Sequence, residues 1–172
     1  MTGTGGLPLL FLDVDGPLIP FGPRPGVRPV YPAGPHPTGT GGNPLLDRID
    51  PALGPRLAAL ACEPVWATTW EDEANTVLAP RLGLPELPVV TWPAPSAEEE
   101  RDVRAGLHWK TRPLVDWAAG RAFAWVDDEI TERDGRWVAA HHDGPALLHR
   151  VDPGLGLTES DLRLIDGWLR TL

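Results

Sequence analysis

Asp13 and Asp15 stand two apart in "LFLDVDGPL" (10–18), where an apolar run ends in two carboxylates followed at once by Gly16 and Pro17. Thr68 and Thr69 close a second apolar run in "VWATTW" (65–70), and Asp127 and Asp128 close another in "AWVDDEIT" (124–131). Lys110, in "WKTRPL" (109–114), is the only lysine among fifteen basic residues. Two acid pairs, neighbouring hydroxyls and one compact ammonium group are a set able to handle a charged substrate. Each alone has a plainer explanation: acids after a strand cap helices or solvate turns, and a lone lysine sits on a surface.

The elements that would gather these residues are legible as patterns. Five short apolar segments bounded by turn residues read as buried strands: 8–14, 64–68, 87–92, 122–128 and 145–151. Helical patterns lie between them at 51–61, 71–82, 111–119, 131–141 and 158–171, with a short acidic helical turn expected inside the loop 93–102. Strands alternating with helices predict an α/β, mainly parallel five-stranded sheet covered by helices on both faces. In such a sheet ligands bind beyond the carboxyl ends of the strands. The acid pairs, the threonines and Lys110 are all predicted on that one rim.

One stretch departs from the rhythm. From Gly16 to Pro44, 16 of 29 residues are Gly or Pro, which disfavours both a helix and an inner strand. The loop, about residues 16–46, is either a flap over the aspartate pair or a disordered surface insertion. "GTGG" (3–6) and "TGTGG" (38–42) lack the Gly-Lys-Ser/Thr of a phosphate loop. "HHDG" (141–144) has no third ligand at a suitable spacing and reads as a polar helix terminus.

Bulk properties narrow the function. A chain of 172 residues suits a single domain, 1–172. A net charge of −9 argues against a broad nucleic-acid-binding face. It leaves room for a phosphorylated substrate, because a metal ion can supply positive charge locally. The single cysteine, Cys62, reads as a small buried hydrophobe in a reducing compartment. No basic segment precedes the first apolar run, which Asp13 cuts short, so neither a signal peptide nor a membrane span is expected, and a cytoplasmic location is.

The four motifs together resemble the haloacid dehalogenase-like (HAD) hydrolase superfamily. "VWATTWEDEAN" and "AWVDDE" are most similar to the HAD domain described in "Swiss Army Knife" RNA repair proteins. The resemblance implies a Rossmann-like, doubly wound sheet and a magnesium-dependent phosphomonoesterase working through an aspartyl-phosphate. It implies Asp13 as nucleophile, Asp15 as proton donor and acceptor, and Thr68, or Thr69 in its place, as a phosphate ligand. Lys110 would neutralise the phosphate and hold Asp13. Asp127 and Asp128, with Asp13 and the Asp15 backbone carbonyl, would bind Mg2+. Pro17 departs from the pattern, standing where valine or threonine is usual. There is no room for a large cap domain, which suits larger or protruding phosphorylated ends.

The substrate expected from the resemblance is a nucleotide or a nucleic-acid end, with small phosphorylated metabolites as the alternative. Of the eight tryptophans, Trp66, Trp70, Trp109 and Trp125 lie near the motifs, and Trp70 is the best placed to stack on a base. Two other readings stand beside this one. A signalling receiver domain is also doubly wound, but its phosphorylated aspartate follows strand three and its lysine strand five, where this chain has neither. A catalytically silent HAD-fold binding module would keep the fold, although every expected catalytic side chain is present.

Overall fold

The structure, a computed structural model, describes residues 6–32 and 43–172. "TGTGG" (38–42) and the middle of the expected flap lie outside the described residues. β1 (Leu9–Leu12), β2 (Glu63–Trp66), β3 (Phe123–Asp127) and β4 (Ala146–Arg150) form one sheet in the order β2-β1-β3-β4, and every pair is parallel. β1 is buried along its whole length, as an apolar run in a sheet covered on both faces must be. Its alternate residues enter two cores. Leu10 and Leu12 pack with α1 (Leu53–Ala58), α2 (Ala79–Leu82) and α6 (Glu159–Leu169). Leu9 and Phe11 pack on the other face with α4 (Thr111–Ala118) and α5 (Glu132–His141).

Among the described residues the sheet has four strands, against the five expected. The segment 87–92 is reduced to one parallel bridge between Val89 and Trp66. Two backbone bonds hold it: Trp66 N to Pro88 O (2.9 Å) and Val90 N to Trp66 O (2.9 Å). Pro88 has no N–H to donate, and Pro85 and Pro93 flank it, so a ladder cannot extend at this edge. The acidic turn expected after it is a full helix, α3 (Ala97–Arg104), started by a capping box between Ser96 and Glu99. The helix expected at 71–82 begins as a π-helical stretch, Ala74–Leu78, that runs into α2.

The strand order locates the rim that carries the acid pairs. From β1 the chain moves outward to β2, then crosses back to β3 on the other side of β1 and continues outward to β4. The winding reverses between β1 and β3, which opens a crevice at their carboxyl ends. Asp13 lies just beyond one of those ends and Asp127 and Asp128 at the other. No helix among the described residues is long and apolar enough to cross a membrane.

Candidate functional site

Backbone bonds set the acidic groups in register. Asp13 N donates to Val126 O (3.1 Å), so β3 fixes the residue that follows β1. Val151 N donates to Asp127 O (3.1 Å), and Arg150 Nε donates to Asp128 O (2.9 Å), so β4 and its side chain hold the second acid pair. Carboxylate oxygens of Asp13, Asp127 and Asp128 all lie within 4.8 Å of one another, and all three residues are buried. Lys110 Nζ reaches between them, 2.8 Å from Asp127 Oδ2 and 3.0 Å from Asp13 Oδ1. Three segments far apart in the chain, at residues 13, 110 and 127–128, therefore meet at one point.

The charges do not balance. Burial pushes Asp13 up to about 7, with the Lys110 ammonium opposing and Asp127 adding to the rise. Burial and then Asp127 also lift Asp128 above the usual carboxylate range. Burial alone would lower the pKa of Lys110, but Asp13 and Asp127 together carry it above the ordinary lysine value. With the three acids ionised and Lys110 charged, two negative charges are left over in a buried cluster. Hard oxygen donors at this spacing with that excess suit a divalent cation such as magnesium. Asp13, Asp127 and Asp128 are the residues able to hold it.

A second group of possible ligands, His108, Asp127 and Glu129, overlaps the first. Its histidine is already engaged. Nδ1 accepts from Lys110 N (3.1 Å), which leaves Nε2 to carry the proton and donate to Glu129 Oε2 (3.3 Å). His108 thus shapes the turn that delivers Lys110.

The remaining expected residues divide. A cavity of about 200 Å3 is walled by Asp13, Asp15, Thr69, Lys110 and Asp128, with Phe21, Trp109 and Glu129 completing it. Thr68 lies under this wall, fully buried, its hydroxyl accepting from Trp70 N (3.2 Å). Trp70 is not in the cavity wall; its indole N–H donates to Asp15 Oδ2 at 3.1 Å. The turn that permits this puts the next residue, Glu71, at a φ of +48°, in the left-handed region. Trp66 and Trp125 are wholly buried core residues, so Trp109, 39% exposed, is the tryptophan beside the site.

The Gly/Pro loop leaves from the site itself. Gly16 N donates to Ile19 O (3.0 Å), Leu18 and Ile19 are buried, and Phe21 forms part of the cavity wall. Beyond that, the loop is tied back to the body: Arg48 donates to Pro20 O (3.0 Å) and Tyr31 N to Asp47 O (2.6 Å).

Asp134 was not among the residues singled out by sequence. It is fully buried and accepts four bonds: from His108 N (2.7 Å), Thr111 Oγ1 (2.7 Å), Thr131 N (2.8 Å) and Thr131 Oγ1 (2.7 Å). It clamps the Lys110 turn to the start of α5. Its signal was the Thr-x-x-Asp of a capping box at 131–134. His141 and His142 end α5, as a polar terminus should, with His142 Nε2 3.0 Å from Arg121 O. Cys62 is buried, and burial pushes its thiol up to about 12. Comparison with protein-family models, curated proteins and solved structures finds no match.

Proposed function

We propose that this chain is a magnesium-dependent phosphomonoesterase of the HAD type, on a Rossmann-like doubly wound sheet, working through an aspartyl-phosphate. The observation that carries the reading is the meeting of Asp13, Asp127 and Asp128 around Lys110 at the crevice between β1 and β3. Asp13 attacks phosphorus, and the P–O bond to the alcohol breaks as Asp15 passes a proton to the leaving oxygen. A carboxylate nucleophile divides one difficult displacement into two easier ones. Asp15 then takes a proton from water, which attacks the acyl phosphate, releases inorganic phosphate and restores Asp13.

Lys110 holds the Asp13 carboxylate in place and offsets charge on the phosphoryl group. Thr69, in the cavity wall, donates to a phosphoryl oxygen, and Thr68 keeps the turn in shape. Asp13, Asp127 and Asp128 would bind Mg2+, which supplies Lewis-acid stabilisation of the phosphoryl charge when present. The described start of the Gly/Pro loop, with Phe21 at the cavity, supports a flap, and free buried Cys62 supports a cytoplasmic location. The substrate is a phosphorylated nucleotide, nucleic-acid end or small metabolite.

Phosphate release from a panel of phosphomonoesters, with magnesium, with chelator and with the Asp13→Asn protein, tests this. Release is expected only from the native protein with metal. Release that persists in Asp13→Asn would remove the covalent route.

A further inference from the structure

Trp109 belongs to two walls. It lines the acid cavity and also borders a larger groove of about 470 Å3. The groove is lined mainly by Trp92, Pro93, Pro95, Val103 and Pro113. Trp92 packs edge-on against Trp109, with ring centroids 4.8 Å apart and planes at 69°. Its indole N–H donates to Thr68 O (3.0 Å), so the groove is keyed to the turn that carries the site's threonines. Its volume falls within the range of small-molecule sites, where apolar and aromatic lining is the rule.

The far wall is α3, none of whose residues is buried. Arg112 holds this helix on α4 by donating to Asp102 (2.6 Å) and Glu98 (3.0 Å). Val103 is 44% exposed and lines the groove. At the rim Glu99 and Glu100 outnumber Arg104, so nothing there attracts a chain of phosphates. An uncharged flat group suits both the rings and the rim.

From this shared wall we infer that the Trp92–Trp109 groove takes the alcohol side of the substrate, and that this side is an uncharged aromatic group of nucleobase or aryl size. The inference rests on the phosphomonoesterase reading and assigns it a substrate class. The phosphate occupies the acid cavity, and the ester oxygen passes the edge of Trp109. A long polyanion, such as the body of an oligonucleotide, is disfavoured.

The test compares 2-phenylethyl phosphate with ethyl phosphate, whose alcohols are of nearly equal basicity. The aromatic ester should show a KM at least about tenfold lower at similar kcat. Val103→Glu and Pro95→Glu, both at exposed positions, should each raise KM for 2-phenylethyl phosphate to that for ethyl phosphate. Equal KM values for the two esters, or an advantage that survives in both variants, overturns the inference. Failure of both esters to release phosphate would sink the functional reading instead. The groove is then judged alone by quenching of tryptophan emission with 2-(4-nitrophenyl)ethanol, which carries no phosphate. Saturable quenching lost in both variants upholds the groove, and quenching that never saturates rejects it.

Discussion

A β-carbon on Gly16 would lie 2.6 Å from Asp128 Oδ1 and 2.7 Å from its Cγ, so the turn after the first acid pair presses against the second. Gly16 also has a φ of +94°, a conformation that side chains with a β-carbon rarely adopt. Two independent constraints therefore fall on one residue, and both concern the acid cluster. Gly16→Ala should cost about 1–3 kcal/mol of stability and displace the Asp128 carboxylate. Calorimetric titration with magnesium should show at least about tenfold weaker binding, in line with disturbed ligand orientation. Native affinity in this variant would mean that Asp128 is not a ligand.

Trp70 bears on Asp15 in the same indirect way. Its indole N–H, 3.1 Å from Asp15 Oδ2, fixes the carboxyl that the proposed mechanism would use as acid and base. Trp70→Phe keeps most of the packing and deletes that one donor. General acid–base help is worth roughly 100- to 10,000-fold, and misplacing the acid forfeits part of it. We expect kcat to fall about tenfold or more with ethyl phosphate, whose leaving oxygen needs a proton. With 4-nitrophenyl phosphate, whose leaving oxygen needs little help, the loss should be much smaller. An equal loss with both substrates would assign Trp70 a merely structural part.

These two residues show where the sequence was and was not readable. Asp13, Asp15, Asp127 and Asp128 were visible because an apolar run that ends in paired acids is a strand end, and strand ends share a rim. Lys110 was visible by being the single lysine. The strand at 87–92 was over-read, since its apolar content matched while Pro88 removed the donor a ladder needs. The direction of the Trp70 indole depends on a turn with Glu71 at positive φ, which no local propensity for glutamate announces. The aromatic groove arises from α3 docking on α4 through Arg112, a contact without a periodic signature. Asp134 was readable as a capping residue, but its bonds to His108 and Thr111 come from tertiary structure alone.

Asp134 gives a prediction about stability. Burial works against its charge, but hydrogen bonds from Thr131, Thr111 and the His108 amide outweigh it and hold the carboxyl below the usual range. A depressed carboxylate contributes stability that is present above its ordinary pKa and lost as the pH falls through the lower folded value. Asp134→Ala leaves several buried donors without an acceptor, at a cost of about 2–4 kcal/mol. Melting curves at pH 7 should drop by roughly 4–16 °C. The gap between native and variant protein should narrow below about pH 4, as the native carboxyl takes up its proton. A gap that stays constant to pH 2 would contradict this assignment.

Asp13 behaves in the opposite sense. Burial raises it to about 7 from an ordinary value of 3.8, and Asp128 is raised as well. Between those two values the folded chain binds more protons than the unfolded chain, so stability falls as pH rises. The contribution is fully present below about pH 4 and gone above about pH 7. Chelated protein should therefore lose melting temperature across that window, beyond what other groups explain. Asp13→Asn removes the titration and one unbalanced charge, and should melt about 2–8 °C higher than native at pH 8 without metal, equivalent to roughly 1–2 kcal/mol. Magnesium should reverse the order, because a cation that binds only the folded state stabilises it by mass action, and it binds best where the acids are ionised. The native melting temperature should rise with added magnesium at pH 8 and hardly at all at pH 5, while Asp13→Asn responds weakly at both. A native protein indifferent to magnesium at pH 8 would show that Asp13, Asp127 and Asp128, close as they are, do not form a cation site.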